Sequence, residues 1–412
     1  MTLAVVYDRG AASAGDIAVG LADVSSVVFV LPRSRHNEQL HEVLRGLGDV
    51  VVLSGDHEAD AAAVRGTRPS GIVTFSEPML AVTAALAETL GLPFHSPRTA
   101  KLLTDKLAQR DQLRSAGVDD VRSRLVRSAA EWPDAVRHVG LPAVLKPLRG
   151  EGSRDTYLIT REEEGRRLLA GLASADGPML VEELLHGQPA PPFGDYVSVE
   201  SACGPDGVRH LAVTGKFPLA QPFREVGKFW PATLPPEERR EVLALATRAL
   251  HALEVTTGLA HTEIKLTPDG PRVIEVNGRL GGHINDMAKQ SCGVDLVKLA
   301  GRLALGQPAP VTQLDPAGVH FQYHTLAPVE PCRLVRSFGS KEVRRVDGIS
   351  GYRAYTKSGE ELPGGVGTHF VDVLWGFSAT HQEMLEVLGS ALPKISHEVM
   401  AGDLRYRISP HL

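Results

Sequence analysis

The sequence has few cysteines, no long apolar run and no excess of positive charge, and each shortage closes off a class of function. Its three cysteines, Cys203, Cys292 and Cys332, are too few and too scattered for a disulfide framework or a zinc site. A reducing cytoplasm is therefore the expected compartment. No stretch of about 18 apolar residues occurs, so no transmembrane helix and no membrane partner are expected. The first ten residues, Met1 to Gly10, carry a short apolar run without a positively charged leader and read as a first strand, not a signal peptide. The formal net charge is −5, so no basic field would gather nucleic acid, and small anionic ligands must be held by local sites. Internal repeats, low-complexity segments, a Ser-His-Asp spacing and a nucleophile elbow are also missing.

What is there is 412 residues, 43% of them hydrophobic, enough for two to four domains. Up to about Pro97, short apolar runs (Leu3 to Tyr7, Val27 to Leu31, Val50 to Leu53, Gly71 to Phe75) alternate with helical stretches, the pattern of a small doubly wound parallel sheet. A helix is expected over Ala100 to Ala116, with Gly117 at its end. Strands over Ala143 to Pro147 and Thr156 to Thr160, a helix from Arg161 to Ala173 and the strand Met179 to Val181 make a compact α+β unit. The proline-rich segment Gln188 to Gly194 reads as a surface loop. Strands follow near Tyr196 to Cys203 and His210 to Phe217, then helices over Pro235 to Thr257 and Gly293 to Leu305. Gly306 to Pro310 reads as a boundary. Beyond it, strands are expected near Val319 to Tyr323 and Glu342 to Val346. The expected division is 1–98, 99–184, 185–308 and 309–412.

The segment His261 to Gly282 carries the densest chemistry. Pro268-Asp-Gly270 reads as a hairpin turn, and alternation puts Ile264, Ile274 and Val276 on one face, with His261, Glu263, Lys265, Glu275 and Asn277 on the other. With Asp269 central, Glu263 and Glu275 oppose one another. Opposed like charges destabilise a sheet unless neutralised, and a Glu, Glu, Asn oxygen set suits Mg2+ carrying substrate phosphates. The same pattern also fits a solvated polar face on which Lys265 neutralises one glutamate. The continuation favours a ligand: Gly278, Gly281 and Gly282 bracket Arg279, whose guanidinium can clamp an oxyanion.

Upstream, Lys146 ends an apolar strand and precedes a loop with Gly150, Gly152 and Ser153. A lysine there can pair with a phosphate while loop amides contact others, although no Walker sequence is present and a plain turn fits as well. Lys106, in Thr104-Asp-Lys106, fits a solvated charge on a helix as well as a phosphate contact. Glu182, Glu183 and Leu185 follow a strand, where backbone groups would meet an adenine edge, or they form a charged strand end.

The order Asp-Lys, Lys-Pro with a glycine loop, Glu-Glu, then a Glu/Glu/Asn hairpin resembles the ATP-grasp superfamily from about Pro97 to Leu305, and Phe75-Ser-Glu-Pro78 resembles part of the domain that precedes such cores. The resemblance implies an ATP-grasp fold with an N-terminal doubly wound parallel-sheet domain, a mixed α/β and α+β class, and a smaller C-terminal unit. It also implies an ADP-forming carboxylate-amine ligase working through an acyl phosphate, with ATP and Mg2+, or Mn2+, as cofactors. By position, Lys106 and Lys146 would contact ATP phosphates under Gly150, Gly152 and Ser153, while Glu182, Glu183 and Leu185 would read adenine. Asp195 would bind ribose, Glu263, Glu275 and Asn277 would hold the metal, and Arg279 would stabilise the transferring phosphoryl group. Lys216 to Pro231 is similar to the matching stretch of L-amino acid ligases, which join amino acids into dipeptides. This implies that Glu225 and Lys228 lie near substrate and that Glu77 faces a substrate amino group; on the residues alone, Glu77 fits a helix cap behind Pro78 and Glu225 an exposed loop charge equally well. Lys228 stands where those ligases can carry histidine, and Ser153-Arg-Asp155 where a further glycine is common. His283 would touch the acyl phosphate or begin the next helix. Arg353 and Gly364 to Gly367 would close over substrate or form a surface strand and turn. The implied partners are small carboxylates and amines, with a homodimer by analogy. A bicarbonate- or formate-activating enzyme and a non-catalytic ATP-binding regulator are the alternatives.

Overall fold

A computed structural model describes residues 1–171, 177–308 and 313–412. Among the described residues the strands form four sheets. The first is parallel, its four strands Thr2–Val6, Ser26–Leu31, Asp49–Val52 and Gly71–Val73 arranged with the first chain segment inside. Leu3, Val5, Phe29 and Leu31 pack on one set of helices and Ala4, Val6, Val28 and Val30 on another, as alternation on a sheet covered on both faces requires.

The helix expected over Ala100 to Ala116 is two helices, Pro97–Thr104 and Lys106–Ser115. Asp105 adopts extended φ/ψ between them, and its carboxylate accepts from Ala108 N at 3.0 Å. A capping aspartate thus starts a new helix and places Lys106 in its first turn, where the side chain leaves the helix face. Strands Ala143–Pro147, Tyr157–Ile159 and Met179–Glu183 form an antiparallel sheet together with Ser123–Val126, a strand the sequence reading missed. The helix Glu162–Gly171 stands where one was expected; its expected end at Ala173 lies outside the described residues, as do Ala309 and Pro310 of the expected boundary.

An eight-stranded sheet carries the hairpin at one edge. Strands Val319–Leu326, Phe370–Ser378 and Ile349–Ala354 continue that sheet, so the final hundred residues add to the large sheet as well as forming a small one of their own. The strand expected near Glu342 to Val346 is instead a short helix, Ser340–Val343, opened by Gly339 in the left-handed region at φ 86°. Among the described residues no helix is long and apolar enough to cross a membrane.

Candidate active site

Strands Gly258–Thr267 and Gly270–Asn277 pair as expected, with Glu263 opposite Glu275 and His261 opposite Asn277. The register slips between Glu263 and Ile264, so that Ile264 faces Val273. The core accordingly takes Ile264, Val273 and Val276, and Ile274 is left half-buried, contrary to the simple alternation. A bulge of this kind re-aims side chains, and here it falls at the carboxylate pair.

Each carboxylate of the pair has a cationic neighbour. Glu275 binds Lys106 Nζ, which also donates to Gly150 O at 2.8 Å. Glu263 lies 3.4 Å from His261 Nε2, and His261 Nδ1 lies 2.8 Å from Glu200. Burial works to raise the Glu263 carboxyl, but the hydrogen bond and charge of His261 outweigh it and bring it down to about 2. Lys265 pairs with Asp195 at 2.7 Å, so it neutralises neither glutamate. Glu200 escaped the sequence reading. It accepts from Ser198 and Thr214 hydroxyls, each at 2.9 Å. The signal was available, because Ser198 and Glu200 alternate with Val197 and Val199 along one strand.

The sheet that carries Lys146 and Glu182 reaches the hairpin through a second missed residue, Arg110. Its guanidinium donates to both oxygens of Glu182, at 2.9 and 3.2 Å, and to the carbonyls of Val273 and Ile274, at 2.6 and 2.8 Å. Lys146 Nζ lies 2.7 Å from the same Glu182. Burial would raise the Glu182 carboxyl, yet the two cations hold it down at about 2. Burial lowers the Lys146 ammonium despite Glu182. The Glu182 side chain is thus committed to a buried ion triad, while Glu183 pairs with Arg122 at 2.7 Å and Leu185 follows half-buried.

The glycine loop is anchored from three sides. Ser153 Oγ donates to Phe223 O at 2.7 Å, Asp155 N to Val366 O at 2.8 Å, and Thr368 N to Gly152 O at 2.8 Å. Gly364 to Gly367 therefore lies against this loop, whereas Arg353 is exposed. Ser153 and Asp155 have φ of 55° and 50°, left-handed values that glycine adopts more readily.

Arg279 leaves the hairpin to meet Glu77 at 2.7 Å and Glu151 of the glycine loop at 3.1 Å, with Nε buried and unpartnered among the described residues. The flanking glycines serve close approach, to the protein itself: a Cβ at Gly278 would lie 2.4 Å from Leu103, and one at Gly281 2.5 Å from His261. Glu77 caps no helix; it is buried, and burial outweighs Arg279 to push its carboxyl up to about 7. A group raised from 4.5 confers stability that is full below 4.5 and lost as pH rises through about 7. The melting temperature of the unmodified protein, relative to Glu77→Gln, is expected to fall between those pH values. A flat difference across that span would refute the buried carboxylic acid.

Glu225 is likewise no exposed loop charge. It sits between Lys216 and Lys228, with Lys228 Nζ at 2.8 Å, and these two lysines hold its carboxyl far below the usual range against the effect of burial. Lys228 also donates to Gly282 O at 2.9 Å. His283 begins the next helix, Ile284–Cys292, from a left-handed φ of 61°. The geometry thus gathers Lys106, Lys146, Arg279, Glu77, Glu263, Glu275 and Asn277 where the two sheets meet, with Glu225 and Lys228 on the adjoining strands.

Residues 105–283 match the family model of the ATP-grasp domain. The chain carries an ATP-grasp domain. It is 27% identical over 283 residues to the alanine–anticapsin ligase of Bacillus subtilis (strain 168), covering 64% of this chain and 57% of that protein. It is 30% identical over 282 residues to carnosine synthase 1 of Homo sapiens, covering 62% and 33% respectively. The chain therefore spans a third to rather more than half of the length of these relatives. The L-amino acid ligase structure from Bacillus licheniformis superposes with a TM-score of 0.78 at 21% identity, over 96% of this chain and 97% of that one, which shows the ATP-grasp fold beyond the matched domain.

Proposed function

We propose that the chain is an ATP-dependent carboxylate-amine ligase that joins amino acids or amino-acid-like substrates through an acyl phosphate, releasing ADP and phosphate. The observation that carries this reading is the Glu263–Glu275 pair, set opposite each other, with Lys106, Lys146 and Arg279 near Glu275 and His261 and Lys216 near Glu263. Phosphoryl transfer asks for positioning and charge neutralisation more than for a protein nucleophile. The alanine–anticapsin ligase and carnosine synthase likenesses, and the L-amino acid ligase fold, support amide-bond formation.

Among the described residues no three His, Cys, Asp or Glu side chains form a ready metal cage. The oxygen set of Glu263, Glu275 and Asn277 nonetheless fits a hard divalent ion that completes its shell with water and phosphate oxygens. Mg2+, or Mn2+ in its place, would supply charge neutralisation of those phosphates. Lys106 and Lys146 bind phosphate oxygens, and Gly150, Gly152 and Ser153 cover them. Glu182 acts by fixing Lys146; the backbone from Glu183 to Leu185 meets the adenine, and Asp195 the ribose. Arg279, freed from Glu151, neutralises charge that develops on the transferring phosphoryl group. Glu77 and Glu225 set the carboxylate substrate, with Lys228 beside them and His283 at the rim. The division 1–98, 99–184, 185–308 and 309–412, and a homodimer, form part of the same proposal.

Phosphate release from ATP and Mg2+, with amino acids offered singly and in pairs, is expected to require amino acids and to yield a condensed product by mass spectrometry. Dependence on bicarbonate or formate instead would replace this reading with the carboxylating one, and AMP as the product would exclude it.

A further inference from the structure

A polar stripe crosses one face of the eight-stranded sheet. It runs from Glu263 through Glu200, Lys216 and Lys228 to Gln322 and His324, each strand contributing beside the last. Over most of its length the charges are paired: Glu200 with His261, and Lys216 and Lys228 with Glu225. At the far end two neutral polar groups are left unpaired: Gln322 Oε1 and His324 Nε2 have no hydrogen-bond partner among the described residues, although the two residues are only 3% and 1% exposed. They lie two residues apart on one strand and so share a face. His324 Nδ1 lies 3.3 Å from the Asp372 carbonyl oxygen, which can only accept. The ring proton therefore sits on Nδ1, and Nε2 presents a lone pair. Both orphaned atoms are acceptors, and buried acceptors are costly to leave without a donor.

We infer that Gln322 and His324 form the subsite for the attacking amino group, their two free acceptors taking the two N–H bonds of a neutral primary amine. This rests on the ligase reading above and deepens it. The position suits the task. Lys228, directly across from Gln322, donates to Gly282 O, and the His283 ring lies 5.3 Å from that of His324. The subsite therefore faces the loop that carries Arg279. Half-buried His283 and Phe370 flank it, so admission of the amine turns the His283 ring aside.

Charge selects the reactive form. Burial, reinforced by His283 and Lys228, holds the His324 imidazole well below its ordinary value, so it stays neutral. The same Lys228 cation disfavours a bound ammonium. An amine held by its two N–H bonds keeps its lone pair free. That pair attacks the acyl carbon, forming the C–N bond, while the C–O bond to phosphate breaks and its electrons leave with phosphate. The proton shed by nitrogen passes to His324 Nε2 and on to water. A secondary amine offers only one N–H and leaves one acceptor unfilled, so primary amino acids are the favoured class.

The test is steady-state kinetics of Gln322→Leu and His324→Phe with the amine found by the amino-acid matrix, fold being checked by fluorescent-nucleotide binding. The amine KM is expected to rise at least tenfold in each, with the KM for ATP and for the carboxylate within twofold. His324→Gln, which restores a hydrogen-bond acceptor but cannot take the proton, is expected to recover most of the loss in amine KM while turnover stays lowered, and remains informative if the phenylalanine variant does not fold. An unchanged amine KM in variants that bind nucleotide, or a rise confined to the carboxylate, would overturn the assignment while leaving the ligase reading intact. Absence of any condensed product from the unmodified protein would remove the ligase reading and this subsite with it.

Discussion

Glu275→Gln is expected to lower turnover by on the order of a thousandfold or more, with little change in size or packing. The substitution removes the charge from one half of the Glu263–Glu275 pair and replaces one carboxylate oxygen with an amide nitrogen that cannot ligate a cation. It also releases Lys106, which Glu275 holds beside the glycine loop through the lysine's bond to Gly150 O. Both effects act on phosphate charge, which is why the loss should fall on turnover at saturating ATP. A stopped-flow measurement of phosphate release, paired with a melting curve to show that the fold is intact, checks it. Turnover within about threefold of the unmodified protein would sink the metal-ligand assignment.

Glu182→Ala is expected to cost about 3–5 kcal/mol of stability, because it strands two buried cations. Arg110 and Glu182 are each 5% exposed in their side chains, and Lys146 is 10% exposed. No other carboxylate bonds Arg110 or Lys146 among the described residues; the remaining partners of Arg110 are the carbonyls of Val273 and Ile274. The Glu182 carboxyl is held down at about 2, so the stability it confers is present above its ordinary 4.5 and lost only as pH falls through about 2. The full effect should therefore be seen at neutral pH. Urea unfolding followed by tryptophan fluorescence and by circular dichroism would measure it. A loss below about 1 kcal/mol would mean that water reaches and solvates both cations in the variant.

Much of the fold was legible because it is written in local pattern. The four strands of the N-terminal sheet lie within a few residues of the apolar runs that mark them, and the hairpin places Glu263 opposite Glu275 as the Pro268-Asp-Gly270 turn implies. Where local pattern failed, a specific competing force explains it. Asp105 splits a continuous helical stretch because its side chain caps a new helix. Ile274 leaves the core because a bulge breaks the period of two beside the carboxylates. Ser340–Val343 turned helical where a strand was expected, after a left-handed glycine.

The candidate site divides along the same line. The identities of Glu263, Glu275, Asn277, Lys146 and Arg279 could be picked out from residue type and spacing, since each stands at a strand end or on an alternating face. Their partners could not. Arg110 is separated from Glu182 by 72 residues, and Glu77 from Arg279 by 202; nothing in a linear pattern says that such charges will neutralise one another. Glu77, Glu182 and Glu225 look alike in sequence, yet burial together with the neighbouring Glu275 and Glu151 outweighs Arg279 and Lys106 and pushes the first up to about 7, while the two cations bonded to each of the others hold them far down. Periodicity and side-chain donors were enough to mark most of the strands, the hairpin turn and the residue types that line the hairpin, because these are local properties of the chain. Only the tertiary structure decided which carboxylates stay charged, which lysines are already paired and where acceptors remain unfilled, because those depend on distances and burial among residues far apart in the chain.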